Sequence, residues 1–151
     1  MSEQNMKVVR SLLEEVWTQG NMALLPELLA EDSVAHPMPQ IGALRGPEEY
    51  MQFIAVYKGA FLDMEFSIED QFSDANKVAT RWVSTVTDAA GDASQDSQDS
   101  QTGERVSIDG ITITHHDSSG KIILEWGTWD THSLLESAAA PKIYEQLSIK
   151  V

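Results

Sequence analysis

An aspartate at the end of a strand-like segment is the residue with the clearest potential for chemistry. The segment runs from Lys121 to Asp130 and follows a turn-like Asp-Ser-Ser-Gly sequence. Alternate side chains of a strand share a face. The predicted shared face consists of Ile122, Leu124, Trp126, Thr128 and Asp130. A carboxylate at the rim of an apolar face is costly to bury, so Asp130 is predicted to act as a general acid or base with a raised pKa.

Helix capping is the alternative role for Asp130. Asp130, Thr131 and Ser133 all suit the corner between a strand and a following helix. Ser133 and Glu136, however, already form a capping-box pattern, so that helix does not need Asp130 as its cap.

Two other polar side chains could share a site with Asp130. His36 lies in a proline-containing segment and could shuttle a proton or hydrogen-bond a carboxylate, or it could be structural or solvated. Arg81 lies in a β-branched strand, where a cation needs a partner. That partner could be Glu125, Asp130 or an anionic substrate group, or an ordinary ion-pair residue on a neighbouring strand.

Metal binding is not expected from this sequence. His115 and His116 are adjacent, so on a strand they point to opposite faces and cannot ligate one ion together. The acidic stretch 88–103 carries a Ser-Gln-Asp repeat but lacks the glycine and terminal glutamate of an EF-hand loop. Its composition predicts a mobile, solvated hairpin loop.

Helical periodicity dominates the first third of the chain, and strand periodicity follows. Apolar residues recur at helical spacing from Val8 to Trp17, and Gly46-Pro47 opens a second long helix. Four strands are then predicted, from Met64 onward, at 78–87, at 106–115 and at 121–130, with a C-terminal extension from about residue 136. Helices followed by strands predict an α+β fold, with helices packed on one face of a curved antiparallel sheet.

Composition limits the class of protein. A chain of 151 residues is predicted to form a single domain over 1–151. The net charge of −14 argues against nucleic-acid or anionic-membrane partners. The absence of cysteine excludes thiolate chemistry and suits the reducing cytoplasm. No signal-peptide core or membrane-length apolar run is present, so a soluble cytoplasmic protein is predicted.

The order and spacing of several motifs resemble the SnoaL-like polyketide cyclase family of the nuclear-transport-factor-2-like superfamily. The resemblance runs from about Val8 to Leu135. The motifs that carry it are Glu15-Val16-Trp17-Thr18-Gln19-Gly20-Asn21, Asp32-x-x-x-His36, Gly46, Phe61-Leu62-Asp63, Val78-x-x-Arg81-Trp82, Gly110-Ile111, Gly120-Lys121-Ile122 and Glu125-Trp126-x-x-x-Asp130.

The resemblance implies a cone-shaped fold, with N-terminal helices packed over an internal pocket and commonly a homodimer at the outer face of the sheet. It implies catalysis by Asp130 without metal or cofactor, with His36 and Arg81 as neighbours that bind or polarise the carbonyls of a hydrophobic small molecule. The aromatic residues Phe53, Tyr57, Trp82 and Trp126 are core residues by default, and a pocket for such a ligand would use the same side chains.

Two functions follow as hypotheses. The first is cofactor-free acid/base catalysis, an aldol cyclisation or isomerisation of a carbonyl-rich hydrophobic molecule. The second is a non-catalytic small-molecule-binding or dimerisation module of the same fold, in which the cone is filled by its own side chains or Asp130 caps the last helix.

Overall fold

The computed structural model of the chain describes residues 2–37, 42–88 and 105–130. The helical elements are α1 (Ser2–Ser11), a π-helix (Leu12–Thr18), a 3-10 turn (Met22–Leu24), α2 (Leu25–Leu28) and α3 (Gly46–Ala60). The strands are β1 (Leu29–His36), β2 (Leu44–Arg45), β3 (Phe61–Asp74), β4 (Lys77–Asp88), β5 (Arg105–His116) and β6 (Ile122–Trp129). The predicted acidic loop beyond residue 88, the Ser133 capping box and the C-terminal extension lie outside the described residues.

The strands form one curved, unclosed sheet in the order β2-β1-β6-β5-β4-β3. Neighbouring strands are antiparallel except β1 and β6, which pair in parallel. The predicted α+β cone is therefore confirmed, and the four predicted strands correspond to β3–β6. The sequence predicted an irregular or strand-like crossover before α3, and its first part is β1, which brings His36 beside Trp126.

One face of the sheet is buried against the helices. In β5, buried and exposed residues alternate along the strand, as expected for an antiparallel sheet with one covered face. Helix α3 buries Tyr50, Phe53, Ile54 and Tyr57, which recur at the spacing of one helical face. Among the described residues, no helix is long and apolar enough to cross a membrane.

A glycine in β5 makes room for a tryptophan ring of β4. Gly110 lies directly opposite Trp82, and a Cβ at Gly110 would overlap the Trp82 ring. The ring therefore lies across the glycine, and its Nε1 donates to Thr112 Oγ1 at 2.9 Å. Trp82 is 2% exposed, so this contact belongs to the core.

A β-bulge in β6 divides the face that the sequence predicted to be shared along this strand. His115 pairs with Leu124 but His116 pairs with Ile122, so Ile123 is an extra residue without a partner of its own. The bulge shifts the alternation by one residue and exchanges the two faces beyond it. Past the bulge, Glu125 is 5% exposed and Trp126 is 52% exposed. The prediction that Trp126 shares a face with Ile122 is therefore wrong.

We expect Gly110→Ala to destabilise the protein, because the added methyl group would overlap the Trp82 ring and force it to move. Such overpacking costs about 1–3 kcal/mol, measurable as a lower urea midpoint. Gly59→Ala is the matched control, since Gly59 lies in α3 with nothing within 4 Å of the added Cβ. That control should gain up to about 1 kcal/mol from helix propensity. Equal stability of both variants would contradict the described Trp82 packing.

Candidate active site

Glu125 is a buried carboxylate in the interior of the cone. It lies in β6 after the bulge, between Ala35 of β1 and Thr114 of β5. The hydroxyl of Tyr50, from the first half of α3, donates to Glu125 Oε1 at 3.3 Å. The indole Nε1 of Trp17 in turn donates to the Tyr50 hydroxyl oxygen at 3.5 Å. The result is a chain of polar groups from the π-helix through α3 to the sheet.

Burial dominates the electrostatics of this pair. Desolvation raises the pKa of Glu125 from 4.5 to about 7, and the hydrogen bond from Tyr50 offsets only part of that rise. Burial also raises the pKa of the Tyr50 phenol, and the negative charge of Glu125 raises it further. Near neutral pH, Glu125 therefore exchanges protons readily while Tyr50 stays protonated as a donor.

The π-helix fixes the position of Trp17 above this pair. Lys58 Nζ donates to the carbonyl oxygen of Trp17 at 2.6 Å, next to the end of the helix. Thr18 Oγ1 donates to Leu13 O at 2.9 Å and accepts a hydrogen bond from Phe66 N at 3.0 Å. These bonds satisfy groups that a helix end leaves without intrahelical partners, and they tie the π-helix to α3 and β3.

A cavity of about 20 Å3 adjoins Glu125. Its lining includes Trp17, Pro37, Tyr50, Thr112, Glu125, Gly127 and Trp129. A space of that size accommodates one water-sized group, whereas sites for whole small molecules measure about 300–1,000 Å3. Among the described residues, the surroundings of Glu125 therefore accommodate a single polar group.

Aromatic rings fill the rest of the interior in this region. Trp129 packs against Tyr57 at a centroid distance of 5.3 Å and against Trp82 at 5.4 Å. Trp17 lies 5.9 Å from Phe53 and 6.1 Å from Trp129. Phe53, Tyr57 and Trp82, which the sequence predicted as substrate-contacting residues, are thus core residues, each at most 2% exposed. Their predicted role in substrate binding stays a prediction.

His36 and Trp126 lie together on the outer face of the sheet. Their rings stack with centroids 4.0 Å apart and an interplanar angle of 15°. Because the bulge turns Trp126 outward, the pair lies on the face opposite to Glu125. The structure thus brings these two predicted residues together, but away from the buried carboxylate.

Arg81 forms the cross-strand ion pair that the sequence left open as an alternative. Its Nη2 lies 2.7 Å from Asp70 Oδ2 and its Nε donates to the same oxygen at 2.8 Å. Both side chains are more than half exposed, so the pair contributes little to stability.

Asp130 follows β6 and is half-buried, and its backbone N–H donates to Asp109 O at 2.8 Å. Its catalytic role stays a prediction.

Sequence reasoning considered Glu125 only as a partner of Arg81 and missed its burial. The signal was the run Ile122-Ile123-Leu124, because three consecutive apolar residues do not fit an alternating strand. A bulge accommodates such a run by adding one residue to the strand. The position of the extra residue decides which of Glu125 and Trp126 points inward.

A wider cleft of about 410 Å3 lies elsewhere, between α2 and the start of α3. Its lining includes the charged residues Glu31, Arg45 and Glu48, all of which are exposed. Solvent screens charges at such positions. In residues 2–37, 42–88 and 105–130, no group of three His, Asp or Glu side chains could hold a metal ion.

The sheet, the helices over it and the element order define a protein of the cone-shaped nuclear-transport-factor-2-like fold. A family model of SnoaL-like polyketide cyclases matches residues 7–137. The chain therefore belongs to the SnoaL-like polyketide cyclase family. No curated protein matches its sequence.

Solved structures share the fold at low sequence identity. A protein from Jannaschia sp. CCS1 named as a SnoaL-like polyketide cyclase has 19% identity and a TM-score of 0.75, with 93% of this chain and 94% of that chain covered. IdmH of Streptomyces antibioticus, named as a polyketide cyclase, has 21% identity and a TM-score of 0.71, with 97% and 99% covered. An LEH-like epoxide hydrolase of M. tuberculosis has 14% identity and a TM-score of 0.67, with 97% and 96% covered.

We expect the buried Glu125 to make stability depend on pH. Its pKa rises from 4.5 to about 7 on folding, so the folded chain binds more protons in that interval. The associated stability is fully present below pH 4.5 and is lost as the pH rises through 7. Converted to free energy, this shift in pKa corresponds to a loss of about 3 kcal/mol in the free energy of unfolding. Urea unfolding across this pH range measures the loss.

Glu125→Gln should remove this pH dependence, because glutamine does not titrate. Glu65→Gln is the matched control, since Glu65 lies exposed on β3 and its replacement should leave the slope unchanged. If Glu125→Gln kept the pH dependence of the parent protein, the burial of an ionisable Glu125 would be contradicted.

Proposed function

We propose that this protein is a cofactor-independent acid/base enzyme of the cyclase or isomerase type. Its substrate would be a hydrophobic small molecule with neighbouring carbonyl groups. The observation that carries the proposal is the desolvated Glu125 carboxylate, with a pKa of about 7 and a hydrogen bond from Tyr50. A base is most effective when its pKa lies near the working pH, because it is then available and still strong enough to accept a proton.

The reaction proceeds by proton transfer at carbon. The Glu125 carboxylate removes a proton from the carbon between two carbonyls, and the C–H electron pair becomes an enolate. In a cyclisation, the enolate carbon attacks a second carbonyl of the same molecule and forms the C–C bond. The new alkoxide takes the proton back from Glu125. In an isomerisation, the proton returns to a different carbon instead.

Asp130 is the other carboxylate proposed for this role. The family resemblance favours it, together with His36, Arg81 and Trp126 as substrate contacts. The described contacts favour Glu125, because Arg81 pairs with Asp70 and His36 stacks on the exposed Trp126. Replacing each carboxylate by its isosteric amide, in Glu125→Gln and Asp130→Asn, tests the two assignments independently.

A non-catalytic binding or dimerisation module is the second candidate, and one observation favours it. The cavity beside Glu125 measures only about 20 Å3. A whole ligand would have to displace the aromatic rings that line this cavity. The catalytic proposal therefore requires Trp17 or Trp129 to move when the substrate binds.

We propose a homodimer formed through the outer face of the sheet. Five cross-strand neighbours form one row there, called the outer stripe: His36, Trp126, Ile113, Ala79 and Phe72. Trp126 is 52% exposed and Phe72 is 68% exposed. The stripe lacks Asp, Glu, Lys and Arg although the chain has a net charge of −14. A second copy can cover such a surface without bringing like charges into contact.

We also infer a cytoplasmic location and no nucleic-acid partner. Zero cysteines suits a reducing compartment, and the net charge of −14 opposes contact with phosphates.

We expect the protein to accelerate deuterium exchange at the central carbon of a β-keto ester such as ethyl acetoacetate in deuterated water. Glu125→Gln should slow this exchange by about 100-fold or more, because the general base is lost. In the parent protein the rate should rise with pH through about 7 and then level off. Proton NMR follows the loss of the exchanging signal.

Two further variants complete that experiment. Glu65→Gln, an exposed carboxylate of β3, should exchange at the parent rate. Asp130→Asn tests the alternative carboxylate: exchange lost in this variant but kept in Glu125→Gln would transfer the role to Asp130. No acceleration by the parent protein with any β-keto ester would favour the non-catalytic module.

We expect Phe72→Glu to convert the dimer to a monomer, because it would bring two like charges into the apolar contact. Light scattering after size exclusion would show the molar mass halved. Met51→Glu is the control, since Met51 is also exposed but lies on α3, away from the outer stripe. A monomeric parent protein, or a Phe72→Glu variant that remains dimeric, would rule out this interface.

A further inference from the structure

We propose that Trp129 is the gate of the cone: its indole fills the place that a planar aromatic ring of the substrate takes, and it turns aside when the substrate binds. We call this place the indole slot, and the rings around it are those of Trp17, Phe53, Tyr57 and Trp82. The proposal rests on the proposed function and deepens it, because it assigns the ring that moves and gives the substrate an aromatic group near its carbonyls.

The first observation is the position of Trp129 relative to the buried acid. Beyond the bulge, Glu125, Gly127 and Trp129 alternate onto one face of β6, and all three line the cavity of about 20 Å3. A Cβ at Gly127 would lie 3.5 Å from Trp129 Nε1, so the indole lies over this glycine. Displacement of the indole therefore adds the volume of the slot to the cavity that adjoins Glu125.

The second observation is the difference in how the two candidate tryptophans are held. Trp17 is 2% exposed, and its indole Nε1 donates to the hydroxyl oxygen of Tyr50, the partner of Glu125. Trp129 is half-buried, and within residues 2–37, 42–88 and 105–130 its side chain contacts aromatic rings without forming a hydrogen bond. Rotation of Trp129 thus breaks no described hydrogen bond, whereas rotation of Trp17 would disturb the acid.

The backbone at Trp129 is fixed, so the movement belongs to the side chain. Trp129 pairs with Gly110 of β5, and the next backbone N–H, that of Asp130, donates to Asp109 O at 2.8 Å. A change between staggered rotamers moves the ring without breaking this pairing. Because the residue is only half-buried, part of it already contacts solvent in the closed state.

The third observation is the orientation of the rings around the slot. The Trp129 ring meets the Trp82 ring at 88° and the Trp17 ring at 73°, with centroids 5.4 Å and 6.1 Å apart. The Phe53 ring meets it at 63° and 6.0 Å. Aromatic rings favour such edge-to-face contacts, because the positive edge of one ring meets the negative face of the other. A planar aromatic ring in the slot regains these contacts, and a saturated ring of similar size does not.

The first test measures which tryptophan moves, by fluorine NMR of protein labelled with 5-fluorotryptophan. The chain has four tryptophans, and replacing Trp17, Trp126 or Trp129 by Phe identifies each signal by its disappearance. The shift difference between H2O and D2O reports the exposure of each ring. We expect saturating ethyl benzoylacetate to raise this difference for Trp129 toward that of Trp126, which is 52% exposed, and to leave Trp17 unchanged.

A change at Trp17 in place of Trp129, no change at either ring, or no saturable binding of ethyl benzoylacetate would overturn the proposal. This measurement uses the parent sequence, so it decides the question even if a variant at Trp129 fails to fold.

The second test measures the affinity for ethyl benzoylacetate by calorimetry. Trp129→Ala should bind this probe about 10-fold more tightly or better, because the parent binds only after its own ring has left the slot. Met51→Ala, an exposed position of α3, should bind like the parent. Weaker binding in Met51→Ala with unchanged binding in Trp129→Ala would place the probe in the cleft between α2 and α3, which Met51 lines, and overturn the proposal.

The third test measures the preference for an aromatic ring. We expect the parent protein to bind ethyl benzoylacetate about 3-fold more tightly or better than the analogue in which cyclohexyl replaces phenyl. Equal affinities would reject the slot as a site for an aromatic ring.

The gate and the proposed function fail in different ways. The fluorine measurement reports which ring moves, whereas deuterium exchange and its loss in Glu125→Gln report proton transfer. Exchange with an unmoved Trp129 would retain the proposed function and reject the gate. Displacement of Trp129 without exchange would retain the gate in a ligand-binding protein and reject catalysis.

Discussion

Burial of the Glu125 carboxyl is the constraint on which the rest of the site depends. A carboxylate without solvent is costly unless it is protonated or hydrogen-bonded. Here the Tyr50 hydroxyl supplies one bond, and the raised pKa of Glu125 allows the protonated form near neutral pH. The helices must hold Tyr50 over the sheet for this arrangement to persist. Trp17 and the bonds that fix the π-helix serve that positioning.

The interior combines this acid with tight aromatic packing. Rings from the π-helix, α3, β4 and β6 meet around Trp129, and two glycines make that packing possible. Gly110 admits the Trp82 ring, and a Cβ at Gly127 would lie 3.0 Å from Pro37 O, so a larger residue there would crowd the wall of the cavity beside Glu125. Close packing stabilises the cone and keeps bulk solvent away from the carboxyl group. It also limits the cavity to about 20 Å3, so any larger ligand depends on movement of the rings.

The two faces of the sheet have different surroundings. The inner face holds the helices and the acid, whereas the outer face presents an apolar row bordered by the Asp70–Arg81 ion pair. Residues that appear together in the sequence motif, such as Glu125 and Trp126, are divided between these faces. Adjacent residues of this strand motif therefore lie on two different surfaces and do not form one site.

Much of the architecture follows from sequence pattern. Helical spacing up to Trp17, proline after Gly46 and alternation in the later strands predicted the α+β order, and the motif order predicted the cone. These features depend on local residue patterns or on the order of elements along the chain, so they can be predicted from a single sequence. The sequence predicted a raised pKa for Asp130 at the end of the last strand, and that assignment stays a prediction. The carboxyl whose pKa burial raises is that of Glu125, within β6.

The identity of that carboxyl depended on tertiary structure. The sequence alone determined that an acid and a tryptophan lie next to each other in β6, but their directions depend on where the strand admits its extra residue. Pairing with β5 sets the bulge at Ile123, and this turns Glu125 inward and Trp126 outward. Parallel pairing with β1 then places His36 on Trp126 instead of near the acid. Such a register is a property of the assembled sheet, because a shift of one residue exchanges the faces without changing the local sequence.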